Sequence, residues 1–317
     1  MEFIRSLHNL RPQHRGCVAT VGNFDGMHLG HQAIIQELRQ ASERFRLPSI
    51  IVIFEPQPQE FFRPERAPAR LMRLREKLDS FTQYQVDRTL CLRFDDALAR
   101  RSPRDFVLDI LVRGLDVRYL AVGDDFRFGK GRQGDFSLLR ELGKAFGFEV
   151  ERAPCCRVGE RRISSTWLRE ILEAGDMETA RKLLGRYYAI SGRVVHGDKR
   201  GRDLGYPTIN VNLHRLRSPL AGIFASRVQG VADRALEAVT SVGTRPVFGG
   251  KGVNLESYLF DYAGDAYGRR VRIEFFRQLR KERNFDTIKD LQDQIAADIA
   301  QTRRFFDEKR NDLVTHG

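Results

Sequence analysis

The pattern of apolar residues changes near Gly185, and this change constrains the fold more than any other feature of the chain. Before Gly185, short apolar runs typical of buried strands alternate with segments whose apolar residues recur at helical spacing. After it, short strand-like segments follow one another, separated by clusters of glycine and charge. With 317 residues the chain can form two cores. We expect an α/β domain with a parallel sheet at 1–185 and a small antiparallel β-barrel at 186–317.

Strands and helices are predicted to alternate in the first domain. The strands lie at 18–21, 50–54, 89–92 and 118–122, and the helices near 31–45, 72–85, 103–113 and 136–146. Ligands of such sheets bind beyond the carboxyl ends of the strands. The loops that follow these strands are therefore where we expect a site.

Helices are also predicted before and after the barrel. Those before it lie at 165–173 and 176–184, and the barrel strands at 189–195, 222–229, 237–243, 254–260 and 270–277. We expect Asp286 to cap a final helix, whose apolar stripe indicates packing against the barrel, with a partner-binding face as the alternative. The stripe consists of Ile288, Leu291, Ile295 and Ile299.

Composition narrows the class of protein. The net charge of +12 is spread over both halves, which is explained by attraction for phosphorylated substrates or by incidental surface charge. No dense basic arm is present, so nucleic acid is not expected as a partner. The longest aliphatic or aromatic run, 50–54, is far too short to span a membrane, and the N-terminus lacks the apolar core of a signal peptide. We expect a cytoplasmic protein with no membrane partner, whose four cysteines, Cys17, Cys91, Cys155 and Cys156, are reduced thiols.

A glycine-rich segment, Val-Gly-Asn-Phe-Asp-Gly-Met-His-Leu-Gly-His at 21–31, follows the first predicted strand and opens the first predicted helix. Backbone N–H groups at such a turn face anions. His28 and His31 share one helical face, and Gly30 removes the side chain that would keep a triphosphate from the backbone. The alternative is a helix-capping turn with ordinary surface histidines. The segment matches neither the P-loop nor the dinucleotide-binding glycine pattern.

Three segments resemble a known family. The first resembles the HxGH signature of nucleotidyltransferases, and its longer form, GNFDGxHxGH, is similar to the adenylyltransferase half of bacterial bifunctional riboflavin kinase/FAD synthetases. The loops at 55–58 and 123–129 resemble the same family. In the second loop, Gly123 permits close approach, Asp125 can accept hydrogen bonds, and Arg127 can make paired contacts with phosphate.

The hydroxyls of Ser164, Ser165 and Thr166 precede a helical pattern and can act as N-caps or phosphate donors. Capping alone would explain one of them. The segment resembles the mobile SSTxxR loop of the same family, which implies that these residues and Arg169 contact ATP. The resemblance implies a Rossmann-like nucleotidyltransferase domain with His28 and His31 as catalytic residues. The ATP and phosphate contacts that it implies are Gly22, Asn23, Phe24, Asp25, Gly30, Gly123, Asp125, Arg127, Ser164, Ser165, Thr166 and Arg169.

Adenylyl transfer from ATP to FMN begins with a nucleophile that is already an ionised phosphate, so it needs charge neutralisation more than a general base. His28, His31, Arg127 and Arg169 suit that role, with Mg²⁺ sharing it. The positive end of a helix dipole opposes an imidazolium, whereas bound phosphate favours it. The sequence therefore leaves the protonation of the histidines open.

The second domain carries a glycine-rich and basic run at 196–210. Thr208 and Asn210 supply oxygens two residues apart, on one face if the segment is extended, which suits Mg²⁺ bridging ATP phosphates. A mobile hairpin loop with solvated charge is the alternative. The run resembles the GxxxGRxLGxPTxN signature of riboflavin kinases, which implies a kinase-like barrel. The ATP-binding loop that it implies contains Gly197, Gly201, Arg202, Gly205 and Pro207.

Phosphorylation of riboflavin needs a base, because the attacking hydroxyl must lose a proton. Glu256 matches the catalytic glutamate of the family, with matching neighbours at 267–269 and 279–285. A solvent-facing strand glutamate is the alternative. The chain departs from the family pattern where Ser241 and Val247 replace Asn and Thr, so contacts to flavin or nucleotide could be weaker.

The resemblance, which covers nearly the whole chain, implies a bifunctional enzyme that converts riboflavin to FMN and FMN to FAD with two ATP. Its partners are then ATP, riboflavin and FMN, with no obligate protein partner. The alternatives are an adenylyltransferase with a weakened or inactive kinase domain and a non-catalytic nucleotide- or nucleic-acid-binding protein. Phe61, Phe62 and Tyr206 are candidates for holding the isoalloxazine ring.

Overall fold

The first half of the chain folds around a parallel sheet, as the alternating pattern predicts. The computed structural model describes residues 1–197, 201, 204–213, 217–247 and 250–315. The strands of this sheet are β1 (Glu2–Arg5), β2 (Cys17–Val21), β3 (Ser49–Glu55), β4 (Arg88–Arg93), β5 (Val117–Val122) and β6 (Glu149–Arg152). They lie in the order β1-β4-β3-β2-β5-β6, and all neighbours are parallel.

Helices connect these strands. They are α1 (Leu29–Phe45), α2 (Pro58–Phe62), α3 (Leu74–Gln83), α4 (Asp96–Ala99), α5 (Pro103–Phe106), which continues as a π-helix over Val107–Gly114, and α6 (Phe136–Phe146). The central strands β2 and β3 are buried because apolar side chains pack against both faces of the sheet. Val18 and Ile51 belong to one apolar core, and Ala19 and Ile50 belong to the other.

The strand order brings two of the predicted site loops together. The chain proceeds from β2 toward one edge of the sheet through β3 and β4, and β5 and β6 lie on the other side of β2. The carboxyl ends of β2 and β5 are therefore adjacent at the point where the strand order reverses, which is the usual ligand crevice of an open α/β sheet. The loops after β2 and after β5 meet there.

The two edge strands were not predicted from the sequence. β1 and β6 are short, and most of their side chains are exposed or half-buried. An edge strand with one partner does not need the continuous apolar run that marks a central strand. The four predicted strands are confirmed, each extended by one or two residues.

The chain packs into two compact units, one comprising Met1–Pro68 with Met72–Ser165 and the other Ala69–Leu71 with Thr166–Gly317. A small hairpin of β7 (Arg157–Val158) and β8 (Arg161–Arg162) belongs to the first unit. The helices α7 (Ser165–Glu173) and α8 (Met177–Leu184) lie at the start of the second. The division between the units thus precedes the expected boundary at 185/186, because α8 packs against barrel strands.

Six antiparallel strands close the barrel of the second unit. They are β9 (Tyr188–Val195), β10 (Thr208–Asn212), β11 (Gly222–Gln229), β12 (Leu236–Val247), β13 (Gly250–Leu259) and β14 (Arg270–Arg280), in the order β10-β13-β12-β11-β14-β9. Buried hydroxyls inside it satisfy one another, since Thr240 lies within hydrogen-bond distance of Ser226 (2.6 Å) and Ser257 (2.8 Å). β10 was not among the predicted barrel strands; the sequence indicated only that Thr208 and Asn210 share a face if the segment around them is extended.

The final helix is α9 (Ile288–Thr315). Its N-cap is Thr287, whose Oγ1 accepts the backbone N–H of Asp290 at 3.1 Å. The expectation that Asp286 caps this helix is therefore wrong. The cap falls one residue later, at Thr287, because threonine is also an N-cap residue and its hydroxyl accepts a backbone N–H of the first turn. Among the described residues, none of the helices combines the length and apolar character needed to cross a bilayer.

The face of α9 that packs on the barrel differs from the predicted stripe. Ile288 is 68% exposed, whereas Asp298, Thr302 and Phe306 are buried. Asp298 is buried because it forms a two-pronged ion pair with Arg280 of β14, with distances of 3.0 and 2.8 Å. The other predicted stripe residues, Leu291, Ile295 and Ile299, are half-buried. The stripe expectation is thus wrong at Ile288 and incomplete elsewhere, since a paired charge and a hydroxyl carry no apolar signal.

Candidate active sites

The loop after β2 turns sharply, with positive φ at Phe24 (47°), Gly26 (98°) and Met27 (47°). This backbone directs the side chains of Phe24 and Asp25 into the core. The Phe24 ring meets Phe81 edge-on at 5.7 Å, and Asp25 Oδ1 accepts the backbone N–H of Met72 at 2.9 Å. These two predicted site residues can therefore offer a nucleotide only their backbone.

The two histidines of the HxGH segment stack at the start of α1. Their ring centroids are 3.7 Å apart and the rings are inclined by 15°. His28 is the N-cap of α1, and its Nδ1 accepts the backbone N–H of His31 at 3.3 Å. A Cβ added at Gly30 would lie 3.2 Å from His28 Nδ1. The glycine thus leaves room for the capping imidazole as well as for an approaching ligand.

His28 is neutral in this environment. Burial lowers the pKa of His28 to about 4, and the positive charge of Arg162 adds to the shift. Asp25 and Asp125 act in the opposite direction but do not outweigh burial. Because Nδ1 accepts a hydrogen bond, the remaining proton sits on Nε2, which can donate to a phosphate oxygen. The surroundings of His28 thus favour the neutral imidazole.

This pKa predicts a loss of stability in mild acid. The folded-state pKa of His28, about 4, lies below the value of about 6.5 for an unfolded histidine, so the unfolded chain takes up the proton first. The contribution of His28 to the free energy of unfolding is complete above pH ~6.5 and falls as the pH drops toward ~4, by about 3 kcal/mol in total. Urea unfolding of the wild type and of His28→Asn at pH ~7 and ~5 measures it. An equal pH dependence in the two proteins would contradict a buried neutral imidazole.

Polar groups from three loops converge near these histidines. Arg162 Nη2 donates to Asp125 Oδ1 at 2.6 Å, and the Arg162 charge acts on His28. Ser165 Oγ donates to the backbone oxygen of Asp25 at 2.7 Å. Gly123 lies beside Asp125, since an added Cβ would be 3.6 Å from Asp125 Oδ1.

Arg162 was missed in the sequence because it stands in a polar hairpin outside the SSTxxR pattern. Its position two residues before Ser164 was the available signal.

The remaining predicted phosphate residues differ in their surroundings. Arg127 forms an ion pair with Asp135 at 3.3 Å, and both side chains are partly exposed. Thr166 and Arg169 belong to the second compact unit, where Arg169 Nε donates to the backbone oxygen of Ala69 at 2.7 Å. Within the first unit, the structure groups Ser165 with the histidines.

An aromatic cavity of about 820 Å³ opens beside the loops that follow β3 and β5. Its phenylalanines are Phe54, Phe62, Phe94, Phe106, Phe126 and Phe128, and its charged residues are Arg63, Arg66, Arg127 and Arg132. Phe62 is 61% exposed although it is a large apolar side chain. Phe62, one of the isoalloxazine candidates, thus lines a cavity. The ring of Phe61, another candidate, meets the Phe62 ring edge-on, with centroids 5.4 Å apart. Tyr206, the third candidate, lies in the second unit against Tyr258.

The register of the barrel brings the predicted kinase residues together. Glu256 of β13 lies directly opposite Asn210 of β10 and Ser241 of β12. Directly opposite side chains of antiparallel strands share a face, with Cβ atoms about 4.5–5.5 Å apart. Leu255 and Ser257 are fully buried, so Glu256 and its neighbours lie on the outer face of the barrel.

Thr208 occupies the same outer face, two residues before Asn210 on β10. A Cβ added at Gly197 would lie 2.4 Å from the Asn210 side chain, and one added at Gly201 would lie 3.3 Å from Thr208 Oγ1. The Tyr206 N–H closes this loop by donating to the Gly201 oxygen at 2.7 Å. The two glycines therefore lie against the two oxygen-bearing side chains.

The predicted ATP-binding loop contains three further residues, Arg202, Gly205 and Pro207. Gly205 has a φ of +87°, and Pro207 is exposed. Arg202 lies outside the described residues, as does the Val247 side chain. Asn254, which the sequence did not single out, donates from Nδ2 to Glu256 Oε1 at 2.6 Å. Period-two alternation along β13 was the signal that could have found it.

The polar groups around the stacked histidines, where the strand order of a parallel sheet reverses, and the barrel carboxylate opposite Asn210 fit an enzyme that transfers nucleotidyl and phosphoryl groups. Sequence comparison agrees. The sequence model of the FAD synthetase family matches residues 10–167, and that of riboflavin kinase matches residues 184–306. The chain belongs to the bifunctional riboflavin kinase/FMN adenylyltransferase family, so it is an enzyme with both activities.

Relatives match over nearly the whole chain. The chain is similar to the bifunctional riboflavin kinase/FMN adenylyltransferase of Escherichia coli K12, with 46% identity over 96% of this chain and 98% of the relative. The enzyme of the same description from Pseudomonas fluorescens is 48% identical over 96% of this chain and 97% of the relative. A crystal structure described as a macrolide-efflux protein from Streptococcus pneumoniae has a TM-score of 0.81 at 27% identity, covering 96% of this chain and 99% of that one. Membership of the enzyme family sets aside the non-catalytic alternative.

Proposed function

We propose that the two activities use separate residues, with His28 and His31 at the adenylyl-transfer site and Glu256 at the phosphoryl-transfer site. The observation that carries the first assignment is the stacked, capped pair at the start of α1. The cross-strand register of Glu256 with Asn210 carries the second. Incubating the purified protein with riboflavin, ATP and Mg²⁺ tests the whole reaction, since FMN and then FAD should accumulate.

Adenylyl transfer joins the FMN phosphate to the α-phosphorus of ATP and releases pyrophosphate. Negative charge builds on the phosphate oxygens, and preorganised donors stabilise it. The Nε2 proton of neutral His28 is such a donor, and the guanidinium of Arg162, which pairs with Asp125, is a charged donor nearby. The ATP-contacting residues of the first unit that were proposed from the sequence are retained, with Phe24 and Asp25 acting through their backbone and Arg162 added. The contacts of Thr166 and Arg169 with ATP stay predictions from the sequence.

Riboflavin phosphorylation requires a proton acceptor for the ribityl hydroxyl. The Glu256 carboxylate suits this role because it is partly exposed, and Asn254 fixes one of its oxygens by a hydrogen bond of 2.6 Å. The glycines at 197 and 201 allow the chain to approach Asn210 and Thr208 closely. A nucleotide in this loop would lie beside the proposed base.

Magnesium is the metal that we propose for both reactions. The Thr208 hydroxyl and the Asn210 amide oxygen are hard ligands on one face of β10, and Mg²⁺ prefers a few protein oxygens together with substrate phosphates. The ion would neutralise phosphate charge as it develops. Thr208 and Asn210 would hold the ion, and Glu256 would remain available to accept the proton.

The aromatic cavity is proposed to hold the isoalloxazine ring of FMN during adenylyl transfer. Its phenylalanines supply faces for a planar ring, and its arginines supply charge for the FMN phosphate. The volume of about 820 Å³ lies within the range of small-molecule sites. Phe62 is the exposed aromatic whose position this explains.

Phe62→Ala should raise the KM for FMN in FAD formation by about 5–10-fold, because loss of one stacking face costs about 1 kcal/mol. The KM for ATP and the rate of FMN formation should stay within about twofold of the wild type. Initial rates at varied FMN measure the effect. Phe62→Trp is the matched control, since it keeps an aromatic face. An unchanged KM for FMN in Phe62→Ala would remove Phe62 from the flavin site.

The second candidate function is the same enzyme with a weakened kinase, because Ser241 lies directly opposite Glu256, in the position where the family pattern has an amide. The relative rates of the two steps in the incubation described above measure this. The cytoplasmic location, the separation at 185/186 into catalytic domains, and the absence of nucleic-acid and obligate protein partners remain predictions.

A further inference from the structure

Lys77 is an almost fully buried lysine, with 1% of its surface exposed. It lies in α3, and its Nζ donates to the backbone oxygen of Asn23 at 2.7 Å. Lysine is among the residues least often buried, because removing an ammonium from water costs several kcal/mol. Such a group is retained where its hydrogen bonds accomplish something that an apolar residue cannot.

The position of the ammonium is fixed by two observations. It bonds the loop that follows β2, and its charge acts on Cys91 of β4, where it opposes the effects of burial and of Glu55 that raise the pKa of that thiol. The ammonium therefore lies near the carboxyl end of β2, where the loop begins. This is the end of the sheet at which the loop after β2 is proposed to bind ATP.

The loop that Lys77 contacts is not held by local preference. Phe24 and Met27 adopt positive φ, a conformation that costs non-glycine residues roughly 1–2 kcal/mol. Such a turn persists only when its surroundings determine it. Met72 and Ser165 anchor the loop at Asp25, and Lys77 anchors it two residues earlier, at Asn23.

We propose that Lys77 is a positioning residue for adenylyl transfer, holding the Asn23 carbonyl so that the 23–26 loop presents its backbone N–H groups to the ATP phosphates. The bond is charge-assisted and therefore stronger than one from a neutral donor. It also places a fixed positive charge behind a loop that receives a polyanion. This inference rests on the proposed assignment of that loop to ATP.

Lys77→Met tests the proposal, because methionine fills similar space without a donor or charge. We expect the KM for ATP in FAD formation to rise about tenfold, corresponding to about 1.4 kcal/mol, because ATP must then order the loop as it binds. Lys77→Arg, which restores charge and donors, should recover most of the affinity. Lys144→Met, at an exposed position of α6, is the matched control and should match the wild type.

The split between KM and kcat separates positioning from folding. A variant that is partly unfolded loses active enzyme, which lowers kcat and leaves the KM of the remaining enzyme unchanged. The rate of FMN formation, measured on the same preparation, reports on the barrel unit. Lys77→Gln, a milder change with a neutral donor, provides the same measurement if Lys77→Met does not fold.

An unchanged KM for ATP in Lys77→Met or Lys77→Gln, or a Lys77→Arg variant no better than Lys77→Met, would overturn the role of Lys77. His28→Ala distinguishes that failure from failure of the site assignment. If His28→Ala forms FAD normally, the loop is not the ATP site and both proposals fall. If it loses FAD formation while the Lys77 variants keep their KM for ATP, only the Lys77 proposal falls.

Discussion

Replacing Glu256 with glutamine should lower the rate of FMN formation by about 10²–10⁴-fold, the usual contribution of a general base. Glutamine keeps the shape of the side chain and can still pair with Asn254, but it cannot accept the ribityl proton. Adenylylation of supplied FMN should stay within about twofold, because that reaction uses groups of the other unit. Product analysis after feeding riboflavin or FMN, each with ATP, separates the two rates.

The matched control for this variant is Glu274→Gln. Glu274 is also a partly exposed strand glutamate, and it pairs with Arg272 at 3.3 Å in β14. Its replacement should change neither rate. If Glu256→Gln phosphorylates riboflavin at the wild-type rate, Glu256 is not the base and its place opposite Asn210 has another cause.

His28→Ala should have the opposite selectivity. FAD formation from supplied FMN should fall by about 10²–10³-fold, the cost of removing one preorganised donor from a charged transition state. The alanine also removes the acceptor of the His31 N–H, so part of the loss comes from the first turn of α1. FMN formation should be unchanged, since the proposed kinase residues lie in the barrel.

His8→Ala is the control for this change, because His8 is an exposed histidine of the same unit. It should leave both rates intact. Equal loss of FMN and FAD formation in His28→Ala would contradict separate sites, and a wild-type rate of FAD formation would remove His28 from catalysis.

The sequence predicted those parts of the fold that carry a periodic apolar signal. β2, β3, β4 and β5 are buried strands, and α6 was predicted with the bounds that the structure has. Elements whose stability comes from a few specific polar contacts were harder to predict. The buried face of α9 depends on the Arg280–Asp298 pair, and its start depends on a hydroxyl cap.

Among the predicted site residues, spacing indicated that Thr208 and Asn210 share a face, because side chains two apart on a strand point the same way. It also indicated that His28 and His31 lie close together, although His28 caps the helix and is not part of it. It could not reveal that Phe24 and Asp25 face the core, since that follows from the positive φ values of the loop. Nor could it find Arg162, whose approach to His28 depends on contacts between segments far apart in the chain.

Because β13 pairs with strands on both sides, its register limits which mutations the enzyme tolerates. Side chains alternate between the two faces of a strand, so sliding β13 by a single position would turn Glu256 inward and Ser257 outward. The same register shift would expose Leu255 to water and bury the Glu256 carboxylate inside the barrel. An insertion or deletion that shifts the register of β13 would therefore abolish turnover and destabilise the barrel at the same time. Point substitutions on the outer face of β13 can change turnover alone.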